Sequence, residues 1–163
     1  MRNTLLKSFL SASLLIGADG AYAATATTTF QVKVTIAATC AISSATLLDF
    51  GSAGVLSANV DQTSTIQVQC TNTTPFDIGL DKGSNGASVA TRLMKGSGVP
   101  TVQYALYSNA ARTTNWGNTV GTDTVGSTGT GSTQSFTVYG RTAPQTTPQP
   151  DTYTDTITVT VTY

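Results

Sequence analysis

Histidine and glutamate are absent from the 163-residue chain, and only 10% of its residues are charged. Without either residue the usual general bases are missing, and a serine nucleophile has nothing to activate it, so catalysis is not expected. Eight basic against eight acidic side chains give no positive surface to track a phosphate backbone, which argues against nucleic acid as a partner. No apolar run reaches the roughly 20 residues that span a bilayer. No stretch carries a convincing helical period. Cysteine is limited to Cys40 and Cys70.

What is present begins with an export signature. In residues 1–23, Arg2 and Lys7 supply a positive start, residues 9–18 an apolar run, and Ala21-Tyr22-Ala23 a small-x-small cleavage site. A membrane anchor is the alternative, disfavoured by the shortness of the run and its serines. Cleavage after Ala23 removes Arg2, Lys7 and Asp19, taking the eight basic and eight acidic side chains to six and seven. It leaves about 140 residues, one domain with enough chain to bury a core. Export also places the two cysteines in an oxidising compartment, where a Cys40–Cys70 bridge is expected. Closing that loop of about 30 residues contributes roughly 3 to 4 kcal/mol in the chain-entropy model.

Threonine, serine, asparagine, glutamine and glycine make the polar surface, and threonine and valine favour strands. Residues 27–36 set Phe30, Val32, Val34 and Ile36 on one side of an extended chain, with Thr29, Gln31, Lys33 and Thr35 on the other. That is the pattern of a half-buried strand. Cys40 and Ile42 share one face of a second strand, and Leu47-Leu48-Asp49-Phe50-Gly51 reads as a short strand with a turn or bulge at its glycine. Ile66, Val68 and Cys70 then alternate with Thr65, Gln67 and Gln69, which puts both cysteines on inward faces where a bridge can join them.

After the turn Asn72-Thr73-Thr74-Pro75, the side chains of Phe76, Ile78 and Leu80 alternate against Asp77, Gly79 and Asp81. A short strand is expected within 89–94, a longer one through Val102, Tyr104 and Leu106, and another through Phe136, Val138 and Gly140. Residues 121–132 are rich in glycine, threonine and serine without an apolar period and read as a surface loop. Three prolines make 143–150 a non-helical connection. Residues 153–163 close the sequence with Tyr153, Ile157, Val159, Val161 and Tyr163 on one face and threonines on the other. Short alternating strands separated by turns imply an all-β, two-sheet sandwich.

The two ends belong to one argument. The closing strand is expected to leave an apolar edge with no later strand to protect it, a hazard unless something covers it. Residues 27–36 are the obvious cover: added as an extra strand, they supply main-chain hydrogen bonds while Phe30, Val32, Val34 and Ile36 fill the slot beneath. Four such side chains at roughly 1.5 to 3 kcal/mol each give a gross burial term of about 6 to 12 kcal/mol before ordering costs. Pattern alone leaves two outcomes open. The segment either completes its own domain or inserts into a neighbouring copy, giving a head-to-tail contact that does not close and hence a filament.

Other constellations carry less. Asp77 and Asp81 fall on one strand face, but two carboxylates are far below the six to eight oxygens calcium takes, so a solvated face is the better reading. Trp116 with Tyr104, Tyr107 and Tyr139 offers a sugar-binding platform in principle, the basis of a lectin-like reading. Core packing for Tyr104, and packing or a loop anchor for Trp116, is preferred. The glycine-rich 121–131 stretch has no phosphate-loop lysine and precedes no helix. No metal or cofactor is expected.

An ordered set of motifs resembles a known family. Cys40-Ala41-Ile42, Leu48-Asp49-Phe50-Gly51, Ile66-Gln67-Val68-Gln69-Cys70, Tyr104-Ala105-Leu106-Tyr107, Asn115-Trp116-Gly117, Val138-Tyr139-Gly140-Arg141 and the closing run from Asp151 to Val161 together resemble the spore coat protein U domain. That family includes subunits of archaic, Csu-type chaperone-usher pili. The resemblance implies an incomplete immunoglobulin-like sandwich with an N-terminal donor strand. A periplasmic chaperone fills the gap first, an outer-membrane usher exports the subunit, and the next subunit's N-terminal strand then replaces the chaperone.

Mapped onto this chain, residues 24–38 become the donor extension and 39–163 the domain. Phe30, Val32, Val34 and Ile36 are the donor residues, and Ile157, Val159 and Val161 form an acceptor edge whose other wall starts near Cys40. Pro150-Asp151 departs from the glycine that family members often carry before the closing tyrosine. A tip adhesin of this class carries an additional domain, so a shaft or adaptor subunit is expected, supporting surface attachment and biofilm formation. The competing expectation is a secreted, self-complemented coat or surface-binding module.

Overall fold

The structure, a computed structural model, describes residues 23–163, so the expected export signal lies outside the described residues except for Ala23. The chain divides into two units, residues 1–34 and 35–163. In the first, residues 23–34 form no strand and are exposed throughout. The expected strand at 27–36 is therefore not formed here: alternation prepares one face for burial, but a strand exists only when a second strand takes up its main-chain hydrogen bonds.

The second unit is an immunoglobulin-like β-sandwich, and all eight of its elements are strands. They are β1 (Cys40–Ala45), β2 (Val60–Cys70), β3 (Pro75–Leu80), β4 (Arg92–Lys95), β5 (Thr101–Tyr107), β6 (Val125–Thr128), β7 (Thr133–Thr142) and β8 (Val159–Thr162). One sheet has the order β1-β2-β7-β5-β4 and the other β6-β3-β8. The spine is the antiparallel β2–β7 ladder of ten register pairs, in which Ile66 lies opposite Phe136 and Ser64 opposite Val138. The inward faces read from sequence hold. Ile66, Val68, Cys70, Phe76, Ile78, Leu80, Tyr104, Leu106 and Val138 form the buried core, joined by Trp116. At roughly 1.5 to 3 kcal/mol for each large apolar side chain, this core dominates the favourable side of folding.

Three segments differ from the sequence expectation. Residues 47–51 are a loop, not a strand: the Asp49 carboxylate accepts the Gly51 N–H at 2.8 Å, and Gly51 adopts a left-handed φ of 74°. Leu48 and Phe50 still reach the core, so close to Gly140 that a Cβ there would sit 2.8 Å from the Leu48 methyls. Residues 121–132 are not all loop, because β6 pairs with β3 from Pro75↔Thr128 to Ile78↔Val125. With one apolar side chain in Val-Gly-Ser-Thr, that strand has no period to read; main-chain pairing makes it.

The closing run is also divided. Only Val159–Thr162 is strand, while Thr154 makes an isolated bridge to Lys95, the last residue of β4. The segment thus leaves one sheet and enters the other within a few residues, which interrupts the regular ladder that its alternation suggested.

Candidate functional site: an uncovered edge between the sheets

β1 is an end strand of the larger sheet and β8 an end strand of the smaller one, and the two touch. Register fixes which of their side chains face the core, because directly paired residues point to the same side of a sheet. Ile42 pairs with Val68 and Ala45 with Ile66. Val68 is 0% exposed, yet Ile42, facing the same way, is 41% exposed. Val159 and Val161 pair with the buried Leu80 and Ile78, and both remain only partly covered, as does Ile157 beside them. The core-facing side chains of both end strands are therefore only partly covered where the two sheets meet, and among the described residues each strand keeps one main-chain edge without a partner strand.

Local sequence explains why this edge stays open. β1 carries the small or polar Ala41, Ser43, Ser44 and Ala45, and a bulge between Ile42 and Ser44 leaves Ser43 outside the pairing. Ser44 then turns its hydroxyl outward, donating to the Gln67 side chain at 3.0 Å. At the head of β1, Cys40 pairs with Cys70, and the two form the expected disulfide. The apolar row Phe30, Val32, Val34 and Ile36 is between 75% and 87% exposed. An alternating row of bulky side chains left in water carries a burial energy not yet realised.

A model of the Spore Coat Protein U domain matches residues 26–160. The chain belongs to the Spore Coat Protein U domain family. No curated protein matches it. Among solved structures, it is similar to a chain of the CsuC–CsuE chaperone–tip adhesion subunit pre-assembly complex from the archaic chaperone-usher Csu pili of Acinetobacter baumannii. The TM-score is 0.58 at 22% identity, covering 79% of this chain and 40% of that one. This likeness is one of fold, and the present chain spans about two fifths of its neighbour's length.

Within this spore coat U domain, the approach to β8 is anchored by polar groups. The Asp155 carboxylate accepts the Tyr104 hydroxyl at 2.7 Å and, through its other oxygen, the Ser84 N–H at 2.9 Å and the Asn85 amide at 3.1 Å. Asp81 accepts the N–H groups of Gly83 at 2.9 Å and Thr158 at 3.0 Å. Burial works against the Asp81 charge, but the Thr158 and Gly83 donors and the nearby Arg92 guanidinium outweigh it and lower its pKa. Burial raises the Tyr104 pKa, and the bond to Asp155 raises it further.

Sequence reasoning missed Arg92, which is 0% exposed. Its guanidinium donates to four main-chain carbonyls: Asp81 at 2.8 Å, Val89 at 2.9 Å, Leu80 at 2.9 Å and Trp116 at 2.7 Å. Burial lowers its pKa, opposed by the surrounding Tyr104 and aspartates. A lone arginine in a short strand gives no signal of this. Trp116 is buried, and its indole N–H donates to the Ile78 carbonyl at 2.8 Å, so it packs as a core anchor and presents no sugar platform. Asp77 is not a bare solvated carboxylate either: it accepts the Thr124 hydroxyl at 2.8 Å. Among the described residues, no group of three potential metal ligands converges.

Proposed function

We propose that this chain is a structural pilin, a shaft or adaptor subunit of an archaic chaperone-usher pilus, joined to its neighbours by donor-strand exchange. The observation that carries the reading is the edge between β1 and β8, where Ile42 is 41% exposed and Val159 and Val161 are only partly covered; we read this edge as an acceptor slot. Residues 24–38 are the donor extension and 39–163 the receiving domain. Phe30, Val32, Val34 and Ile36 enter a neighbour's slot, and Ile157, Val159 and Val161 with β1 receive them. Main-chain pairing along both edges gives affinity, and the alternating side chains give register.

Before assembly the same slot is occupied by a strand from a periplasmic chaperone, and an outer-membrane usher passes the subunit to the surface. Such an edge would otherwise aggregate. The filament, homopolymeric or mixed, serves attachment and biofilm formation at the cell surface, with no catalytic step and no nucleic acid. The family match and the sandwich shared with a chain of a pilus pre-assembly complex support this reading.

Deleting residues 24–38 tests it. Surface-sheared wild-type material should run as a ladder of subunit multiples on an unboiled denaturing gel, while the deletion should abolish the ladder and leave chaperone-bound monomer. A ladder that survives the deletion overturns the donor assignment. A mature wild-type chain that is a stable monomer without any chaperone points instead to a self-complemented secreted module.

A further inference from the structure

The Cys40–Cys70 bridge lies where the N-terminal segment enters the sandwich. Only Ala37 and Ala38 separate Ile36 from Thr39, and Thr39 is tied to the domain in both directions. Its N–H donates to the Thr71 hydroxyl at 3.1 Å, and its carbonyl accepts the Thr71 N–H at 2.9 Å. The Thr71 hydroxyl is in turn hydrogen-bonded to that of Thr74 at 2.6 Å. The next residue, Cys40, is the first of β1 and is bridged to Cys70, the last of β2.

This placement decides where a pull on the N-terminal segment is borne. β1 is held to β2 by five register pairs interrupted by a bulge, whereas β2 is held to β7 by ten continuous pairs. Without the bridge, tension entering at Thr39 falls first on the weaker ladder and strips β1, one wall of the slot. With it, tension crosses from Cys40 to Cys70 before β1 is loaded and is borne by the β2–β7 spine.

We infer that the Cys40–Cys70 disulfide is a mechanical cross-link that carries tension from the N-terminal segment past β1 into the β2–β7 ladder. The source of that tension, a neighbouring subunit gripping residues 30–36, rests on the filament reading above; the load path itself belongs to the single subunit.

Optical tweezers on the single mature subunit test it, with one handle at Ala24 and the other at Thr146→p-azidophenylalanine in the exposed connection after β7. In the oxidised protein the first yield should be failure of the main sandwich, with no earlier step. After reduction with a phosphine, an early step should appear at roughly half that force, the ratio of five pairs to ten. It should release about 20 residues between Cys40 and Val60, about 70 Å of chain at ~3.5 Å per residue, less the length of β2 that this segment already spans in the fold. Adding Thr71→Val should lower the force of that early step in the reduced protein and leave the oxidised trace unchanged.

An unchanged first-yield force without an early step on reduction overturns the load path. So does loss of far-UV circular dichroism on reduction without tension, because the bridge is then a requirement for folding. The early step in a subunit that never forms filaments would sink the filament reading and leave the load path standing.

Discussion

The apolar rows at 30–36 and 157–161 read alike in the sequence, the first alternating with Gln31, Lys33 and Thr35 and the second with Thr158 and Thr160, yet they end in different surroundings. Phe30, Val32, Val34 and Ile36 are almost bare, whereas Ile157, Val159 and Val161 rest half-covered on the core. What separates them is not hydrophobicity. The closing row is delivered to β3 by fixed polar anchors: Thr154 bridges to Lys95, Asp155 holds Tyr104, and Asp81 takes the Thr158 N–H. The opening row has one charged residue, Lys33, and no carboxylate within 24–38. Alternation makes a segment able to become a strand; anchoring decides which ladder it joins.

If that distinction is right, a charge in the anchored row damages two processes at once. Val159→Asp places a carboxylate on the core-facing side of β8, opposite the 1%-exposed Leu80. It should cost the isolated domain about 3 kcal/mol in urea unfolding and abolish the assembly ladder. Thr160→Asp, on the outer face of the same strand, should cost under about 0.5 kcal/mol. Equal losses from the two substitutions would mean that the assigned face of β8 is wrong.

The same charge in the free row should damage only one process. Val34→Asp should leave the unfolding midpoint of the monomer unchanged, because Val34 is exposed there. It should weaken capture of the segment by a receiving subunit about 100-fold, the equivalent of about 3 kcal/mol for an unpaired carboxylate in an apolar slot. Lys33→Asp and Thr35→Asp, on the opposite face, should change capture by less than about threefold, since exposed charges contribute little. Binding of synthetic 24–38 peptides to a subunit lacking that segment reads this directly.

Much of this contrast was legible in the chain itself. Period-two alternation found the faces of β2, β3, β5, β7 and β8, because each has one side against the core and one toward solvent. It failed where pairing, not side chains, makes the strand, as at β6, whose Gly126 and Thr128 carry no pattern. It overran at Leu48 and Phe50, which pack against the core, partly buried, from a loop. Arg92 and Asp155 were illegible for a different reason. Their partners are main-chain and hydroxyl groups far away in sequence, and nothing in a local window shows that a folded chain will bring these together. The residues alone showed β1 and β8 only as two amphipathic strands, and it was the family resemblance that set them as two walls of one site; in the structure they are end strands of different sheets that touch one another.

The smallest effect that separates the rows is a titration. Asp81 anchors Thr158, at the entrance to the closing row, and despite the cost of burial the Thr158 and Gly83 donors hold its pKa below the ordinary carboxylate range. A depressed folded-state pKa means that the unfolded chain binds the proton more readily, so the anchor's contribution is fully present above about pH 4 and is lost as pH falls through the folded value. Asp61, whose bond to Arg141 lowers its pKa, and Asp151, lowered by its bonds to Ser97, add slope of the same sign in the same window. The informative quantity is therefore the difference between wild type and Asp81→Asn. The variant should be less stable at pH 7 and show a shallower fall in stability between pH 5 and pH 3. Amide protection of residues 159–162, measured against the intrinsic exchange rate at each pH, should fall in acid in the wild type and already be low at neutral pH in the variant. Parallel acid profiles would show that the hold on the closing row is apolar after all, and that the two rows differ only in how much core they touch.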